Sequence, residues 1–126
     1  MIYVLYGQPG SGKTTLSKLL AEHLNEVTHI VDGDQLRRLT GNYDFSRAGR
    51  EKHIEKANTL ITRMHSDCNV IMALVNPYKH LREQLRALNP SQVTEVLLTS
   101  KRSIRKEYHV EDFEVGRPDI CLNTDR

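Results

Sequence analysis

The residues Gly7-Gln8-Pro9-Gly10-Ser11-Gly12-Lys13-Thr14 meet every fixed position of the pattern GxxxxGK[ST]. No other stretch limits the fold so strongly. A loop of this kind leaves a strand and enters a helix. Its glycines let the backbone aim successive N–H groups inward, and the helix adds the positive end of its dipole. The flanks agree. Ile2 to Tyr6 is a short β-rich apolar run. From Thr14 to Leu24 apolar residues recur at Leu16, Leu19, Leu20 and Leu24, the spacing of a helix face. The expected ligand is a nucleoside triphosphate, with ATP and Mg²⁺ as cofactors. It would be held by Gly7, Gln8, Pro9, Gly10, Ser11, Gly12, Lys13, Thr14 and Thr15. Lys13 should reach the terminal phosphates as a catalytic cation, and the Thr14 hydroxyl should ligate Mg²⁺.

Beyond the loop, strands and helices alternate. Val27 to Val31 reads as a strand, Gln35 to Leu39 as a short helix, Gly41 to Ser46 as a loop and Arg47 to His65 as a long helix. Asn69 to Val75 is almost uninterrupted in its apolar character, the pattern of a central parallel strand covered on both faces. Tyr78 to Leu88 is helical, Gln92 to Leu98 a strand, Thr99 to Glu107 polar and basic, and Asp119 to Leu122 a short last strand. This order predicts the three-layer α/β fold of phosphate-loop NTPases, as one domain over 1–126. Its sheet would be mostly parallel, of about five strands, with helices on both faces. Ligands then lie outside the carboxyl ends of the strands.

At 126 residues, 38% hydrophobic and 27% charged, the chain supports one core and no membrane span. Met1 to Tyr6 runs straight into the phosphate loop, so no targeting peptide fits ahead of it and a cytoplasmic protein is expected. Cys68 and Cys121 lack CxxC spacing and read as reduced core thiols. None of the six histidines has metal-ligand spacing. Net charge is only +2, yet Lys101, Arg102, Arg105 and Lys106 cluster, as do Arg47, Arg50 and Lys52. Each cluster is either a solvated helical face or an anion site.

The acids indicate the reaction. Switch and motor NTPases hold Mg²⁺ with an Asp at the end of another apolar strand. Here Val70 to Asn76 ends without one, and the acids stand after the second strand, at Asp32 and Asp34. A carboxylate there can accept a proton from an alcohol attacking the γ-phosphate, and can orient Mg²⁺ through water. Asp34 is the candidate for both roles. The same residues also suit a turn with a helix N-cap, since Asp34 precedes the helix. The guanine motif NKxD is absent, and Asn123-Thr124-Asp125 is only an echo of it.

The phosphate loop, Asp32-Gly33-Asp34-Gln35-Leu36-Arg37, Phe45-Ser46 with Arg50, and Val75-Asn76-Pro77-Tyr78 occur in one order. Together they resemble the adenylylsulfate kinase (APS kinase) family, whose motifs are GxxGxGKTT, DGDxxR, FSxxDRxxN and ISPF or ISPY. That family moves the γ-phosphate of ATP to the 3′-hydroxyl of adenylylsulfate. The resemblance implies that Asp34 is the base and that Arg37 and Arg50 hold the acceptor's phosphosulfate. It also implies that Phe45 stacks on its adenine and that Asn76-Pro77 forms the wall of its site. His53 occupies an acceptor-site position, and Tyr78 either lines that site or simply begins its helix. Two departures stand out. DRxxN reads Gly49-Arg50-Glu51-Lys52-His53, and the family's long basic lid has no counterpart. Arg102, Arg105 or Lys106 would have to supply lid charge, and Tyr108 or Phe113 a second aromatic.

The best single acceptor is adenylylsulfate. The first rival is a related kinase acting on a nucleoside, a polynucleotide 5′-end or a modified DNA base, because Gln8 to Lys13 also resembles polynucleotide kinases. Nucleic acid is a partner only under that rival. The second rival is a non-catalytic nucleotide-binding module working through a partner. A homodimer is compatible with any of these.

Overall fold

Alternation along β1 (Ile2–Tyr6) sends Ile2, Val4 and Tyr6 to one side and Leu5 to the other, and all four are buried. A strand with two buried faces needs cover above and below, and the rest of the chain provides it. The structure is a computed structural model that describes residues 1–101 and 109–125. After β1 come α1 (Lys13–His23), β2 (Thr28–Asp32), α2 (Gly33–Thr40) and α3 (Arg47–Met64). Then follow β3 (Asn69–Ala73), α4 (Lys79–Leu88), β4 (Val93–Thr99) and β5 (Ile120–Asn123). The strands form one sheet in the order β2-β3-β1-β4-β5, and every described pairing is parallel.

Register explains the two cores. Ile2 lies level with Val70 and Val93, and Val4 level with Met72. On this side they pack with Ile54 and Ile61 of α3 and Leu81 and Leu85 of α4. On the other side Leu5, Ile71, Val96 and Leu98 meet Leu16, Leu20 and Ala21 of α1. Within the expected α1 stripe, Leu19 instead points to solvent at 51% exposure. Single elements begin or end within a few residues of the expected bounds, as helix and strand ends usually do.

Two expectations need correction. The N-cap of α2 is Asp32, not Asp34. Its extended backbone (φ −92°, ψ 138°) ends β2, and its side chain accepts from the Gln35 N–H at 3.2 Å. Asp34 sits inside the first helical turn. Cys121 is exposed, not a core thiol, while Cys68 packs partly buried against the main core. The reason is position: β5 is a sheet edge with all four of its residues exposed.

Beneath the carboxyl ends of the strands lies a buried ionic cluster. Glu95 shares the face of β4 that looks toward α4, and it is 7% exposed. Its carboxylate meets Arg82 at 3.3 Å and also Arg86, and Arg86 reaches Asp119 at 2.6 Å. Arg82 lies 4.4 Å over the Tyr6 ring and donates to the Asn76 carbonyl at 2.7 Å. A buried guanidinium is tolerated where carboxylate, carbonyls and an aromatic face surround it.

Candidate active site

The phosphate loop leaves β1 at Gly7, whose N–H donates to the Val75 carbonyl at 3.2 Å. A Cβ at position 7 would overlap the Leu98 carbonyl and the Ser11 hydroxyl, so only glycine fits between the two strand ends. Gly12 is left-handed at φ 99° and delivers the chain into α1. Lys13 folds back across the loop. Its ammonium donates to the carbonyls of Gly7 (3.0 Å) and Gln8 (2.9 Å) and lies 3.4 Å from the Ser11 hydroxyl. The cation is thus placed across the hollow of the loop, against its carbonyls.

From this hollow a cleft of about 950 Å³ runs across the carboxyl ends of β1, β2 and β3. Of the expected nucleotide set, Pro9, Gly10, Gly12, Lys13, Thr14 and Thr15 line it. Asp32 and Asp34 line it where β2 passes into α2. The Thr14 hydroxyl faces Asp32 Oδ1 at 3.5 Å. Asp34, the acid expected to orient the metal through water, lines the same cleft two residues further on.

The far half of the cleft gathers Arg37, Phe45, Arg50, His53, Asn76 and Pro77, each expected there. Arg37 is 7% exposed. It donates to the carbonyls of Asn42 (2.8 Å) and Asp44 (3.3 Å), and its guanidinium lies 4.2 Å over the Phe45 ring. It therefore shapes the loop before α3 as well as facing the cleft. Burial, then the neighbouring Arg50, lowers the Arg37 pKa. Two cations held this close create a field that favours a bound anion. His53 is 8% exposed, and burial followed by Arg37 pulls its pKa down to about 4. Its imidazole is therefore neutral at pH 7. Asn76 adopts a left-handed φ of 50°, which asparagine tolerates and which lets the chain turn from β3 along the cleft wall.

Gly49 stands where the family motif carries an Asp. A Cβ there would overlap the backbone and side chain of Asp44, so the neighbouring loop already fills that volume. The Asp44 carboxylate accepts from the Ser46 N–H at 2.9 Å, and hydrogen bonding to Ser46 lowers its pKa.

Tyr78 does not line this cleft. It is fully buried, lies under the Arg47 guanidinium at 4.3 Å and opens α4, because its ring contributes more to the core than to the wall. Phe113 stacks on Tyr6 with centroids 6.1 Å apart and is no second cleft aromatic. The lid candidates Arg102 and Arg105, with Lys106 and Tyr108, lie outside the described residues. Arg47 belongs to an ion-paired face, held by Asp112 at 2.9 Å and Glu51 at 3.5 Å, whereas Arg50 turns into the cleft. Leu122, Asn123, Thr124 and Val110 also line the cleft. Strand order places Leu122 to Thr124 there, since β5 lies at the edge beside β4, whereas Val110 is held there by the Gln8 side chain. No group of three or more acidic, histidine or cysteine side chains among the described residues forms a metal cage. None of the described helices is long and apolar enough to cross a membrane.

A family model described as adenylylsulphate kinase matches residues 1–112. Among solved structures, the APS kinase of Mycobacterium tuberculosis in complex with AMPPNP and APS has a TM-score of 0.85 at 20% identity, covering 99% of this chain and 88% of that one. A gluconokinase from Sinorhizobium meliloti 1021 has a TM-score of 0.70 at 14% identity, covering 98% and 82%. At these identities the likeness speaks for the fold alone. An adenylate kinase of Methanocella arvoryzae is 57% identical over 37 residues, 29% of this chain and 17% of that protein. The chain spans 17–23% of the length of the curated relatives it matches.

Proposed function

The chain belongs to the adenylylsulphate kinase family, and from that premise we propose that it transfers the γ-phosphate of ATP to the 3′-hydroxyl of adenylylsulfate. One observation carries the reading. A single cleft joins the phosphate loop, the Asp32 and Asp34 carboxylates and an acceptor half containing Arg37, Phe45 and Arg50.

In this mechanism the loop amides and Lys13 grip the triphosphate, Lys13 exchanging loop carbonyls for phosphate oxygens. The Thr14 hydroxyl and Asp32 carboxylate are adjacent hard oxygen donors and fit Mg²⁺. Bound there, the metal would neutralise charge developing on the phosphates. Arg50 and Arg37 hold the doubly charged tail of the acceptor, and Phe45 offers its open face to the base. Asp34 takes the proton of the acceptor hydroxyl. The oxygen bonds to the γ-phosphorus as the β–γ bridge breaks, and ADP leaves.

One observation favours a second acceptor class. His53, a neutral imidazole, stands where the family motif has Asn, and this suits an alcohol with a different polar tail. A substrate panel separates the two. ATP consumption is followed with adenylylsulfate, nucleosides and oligonucleotide 5′-ends in turn. The proposal expects adenylylsulfate to be turned over with the highest kcat/KM. Preference for any other alcohol transfers the assignment to that acceptor.

A further inference from the structure

The Gln8 side chain, second in the phosphate loop, leaves the loop entirely. Its Nε2 donates to the Val110 carbonyl at 2.7 Å, and its Oε1 accepts from the Val110 N–H at 2.8 Å. One side-chain amide thus pairs with one backbone residue in both directions, 102 residues away in sequence. The next loop residue joins in: His109 Nε2 lies 3.0 Å from the Pro9 carbonyl. A carbonyl only accepts, so this nitrogen carries the proton.

Residues 109–115 are themselves anchored on several sides. Val110 is 4% exposed, and Asp112 pairs with Arg47 at the start of α3. Phe113 stacks on Tyr6, whose hydroxyl donates to the Val115 carbonyl at 2.7 Å. Glu114 donates from its N–H to the Pro77 carbonyl at 2.8 Å, and its carboxylate accepts from the Lys79 N–H at 2.9 Å, capping α4. This last bond fills a role that the residue before α4 leaves open, since Tyr78 makes no side-chain cap.

The strap is therefore fixed to β1, α3 and α4, and it grips the phosphate loop from outside at two consecutive residues. The loop functions only if its amides keep their inward aim. The backbone of Gln8 also supplies one of the carbonyls under the Lys13 ammonium. A twist at Gln8 moves both the amide array and the lysine. We infer that Gln8 is a positioning residue, and that the strap at residues 109–115 braces the phosphate loop from outside and so sets part of the nucleotide affinity. The inference rests on the loop being a nucleotide site, and it concerns a position the family motif leaves free.

The test measures Mg–ATP binding by equilibrium titration in wild type, Gln8→Leu, His109→Ala and, as a reference, Lys13→Ala. Gln8→Leu keeps much of the bulk and removes both amide bonds. Affinity should fall about tenfold, the effect expected from two partly buried hydrogen bonds. His109→Ala should weaken binding in the same direction by about threefold. In turnover the KM for ATP should rise while the KM for the acceptor stays within about twofold. The thermal midpoint without nucleotide should fall by a few degrees, because both amide bonds exist in the free protein, and the rise on adding Mg–ATP should shrink as well. A structural role alone would lower that midpoint and leave affinity intact. Wild type that binds Mg–ATP, with Gln8→Leu binding it equally well, overturns this inference alone. Wild type that binds no magnesium nucleotide overturns the functional reading as well.

Discussion

Replacing Glu95 by Ala should be among the most damaging single changes outside the cleft. The Arg82 side chain is 2% exposed, and Glu95 is its carboxylate partner at 3.3 Å. Removing that partner leaves a buried cation next to a methyl group, a loss of about 3–5 kcal/mol. Arg86 softens the effect only slightly. Its side chain is 38% exposed and keeps Asp119 at 2.6 Å. Arg82 also retains the Asn76 carbonyl and the Tyr6 ring, so the lower half of that range is the expected value. Against a total stability of about 5–15 kcal/mol this is a large fraction. It corresponds to a fall in thermal midpoint of at least about 10 °C for a domain of this size. Urea unfolding followed by far-ultraviolet circular dichroism gives the number directly, and Glu95→Gln should lose less because shape and one acceptor survive. A loss below about 1 kcal/mol for Glu95→Ala, with unchanged m-value, would refute the idea that Arg82 depends on this carboxylate.

Acid stability should report on His53. Its folded pKa of about 4 lies below the unfolded value of 6.5, so the unfolded chain takes up the proton first and stability is lost as pH falls from about 6.5 to about 4. The loss should reach about 3 kcal/mol, and His53→Gln should flatten the profile over that window; an identical profile in the variant would contradict the assignment. Asp34→Asn should lower kcat by about 10²–10⁴ while Mg–ATP affinity stays within about twofold, measured by titration and initial rates. Surviving turnover would place the base elsewhere. Gly49→Ala should cost about 1–3 kcal/mol in chemical denaturation, because its methyl meets the Asp44 backbone as well as its side chain.

Much of this molecule could be read from residue order. The glycine and lysine spacing of the phosphate loop depends on local backbone geometry, and the apolar run at Asn69–Ala73 depends on burial from both sides. Both are local signals, and the parallel sheet follows from their alternation. What stayed hidden depends on distant neighbours. Asp32 rather than Asp34 caps α2 because β2 runs one residue further than its apolar run suggests. Cys121 is exposed because β5 falls at an edge, and edge position belongs to strand order. Glu95, an acid in an apolar strand, gave no hint of its arginine partners on α4, and Gln8 gave none of Val110. Tyr78 went to the core, not the cleft, a choice between two uses of one aromatic that spacing cannot make.

The most direct measurement is transfer of labelled γ-phosphate from Mg–ATP to adenylylsulfate, run beside the 3′-deoxy acceptor and the Lys13→Ala variant. Label should appear on the 3′-position with wild type, and neither the deoxy acceptor nor the variant should be labelled to any comparable extent. Label that stays in ATP at every acceptor concentration, or that appears equally on the deoxy compound, would contradict the assignment.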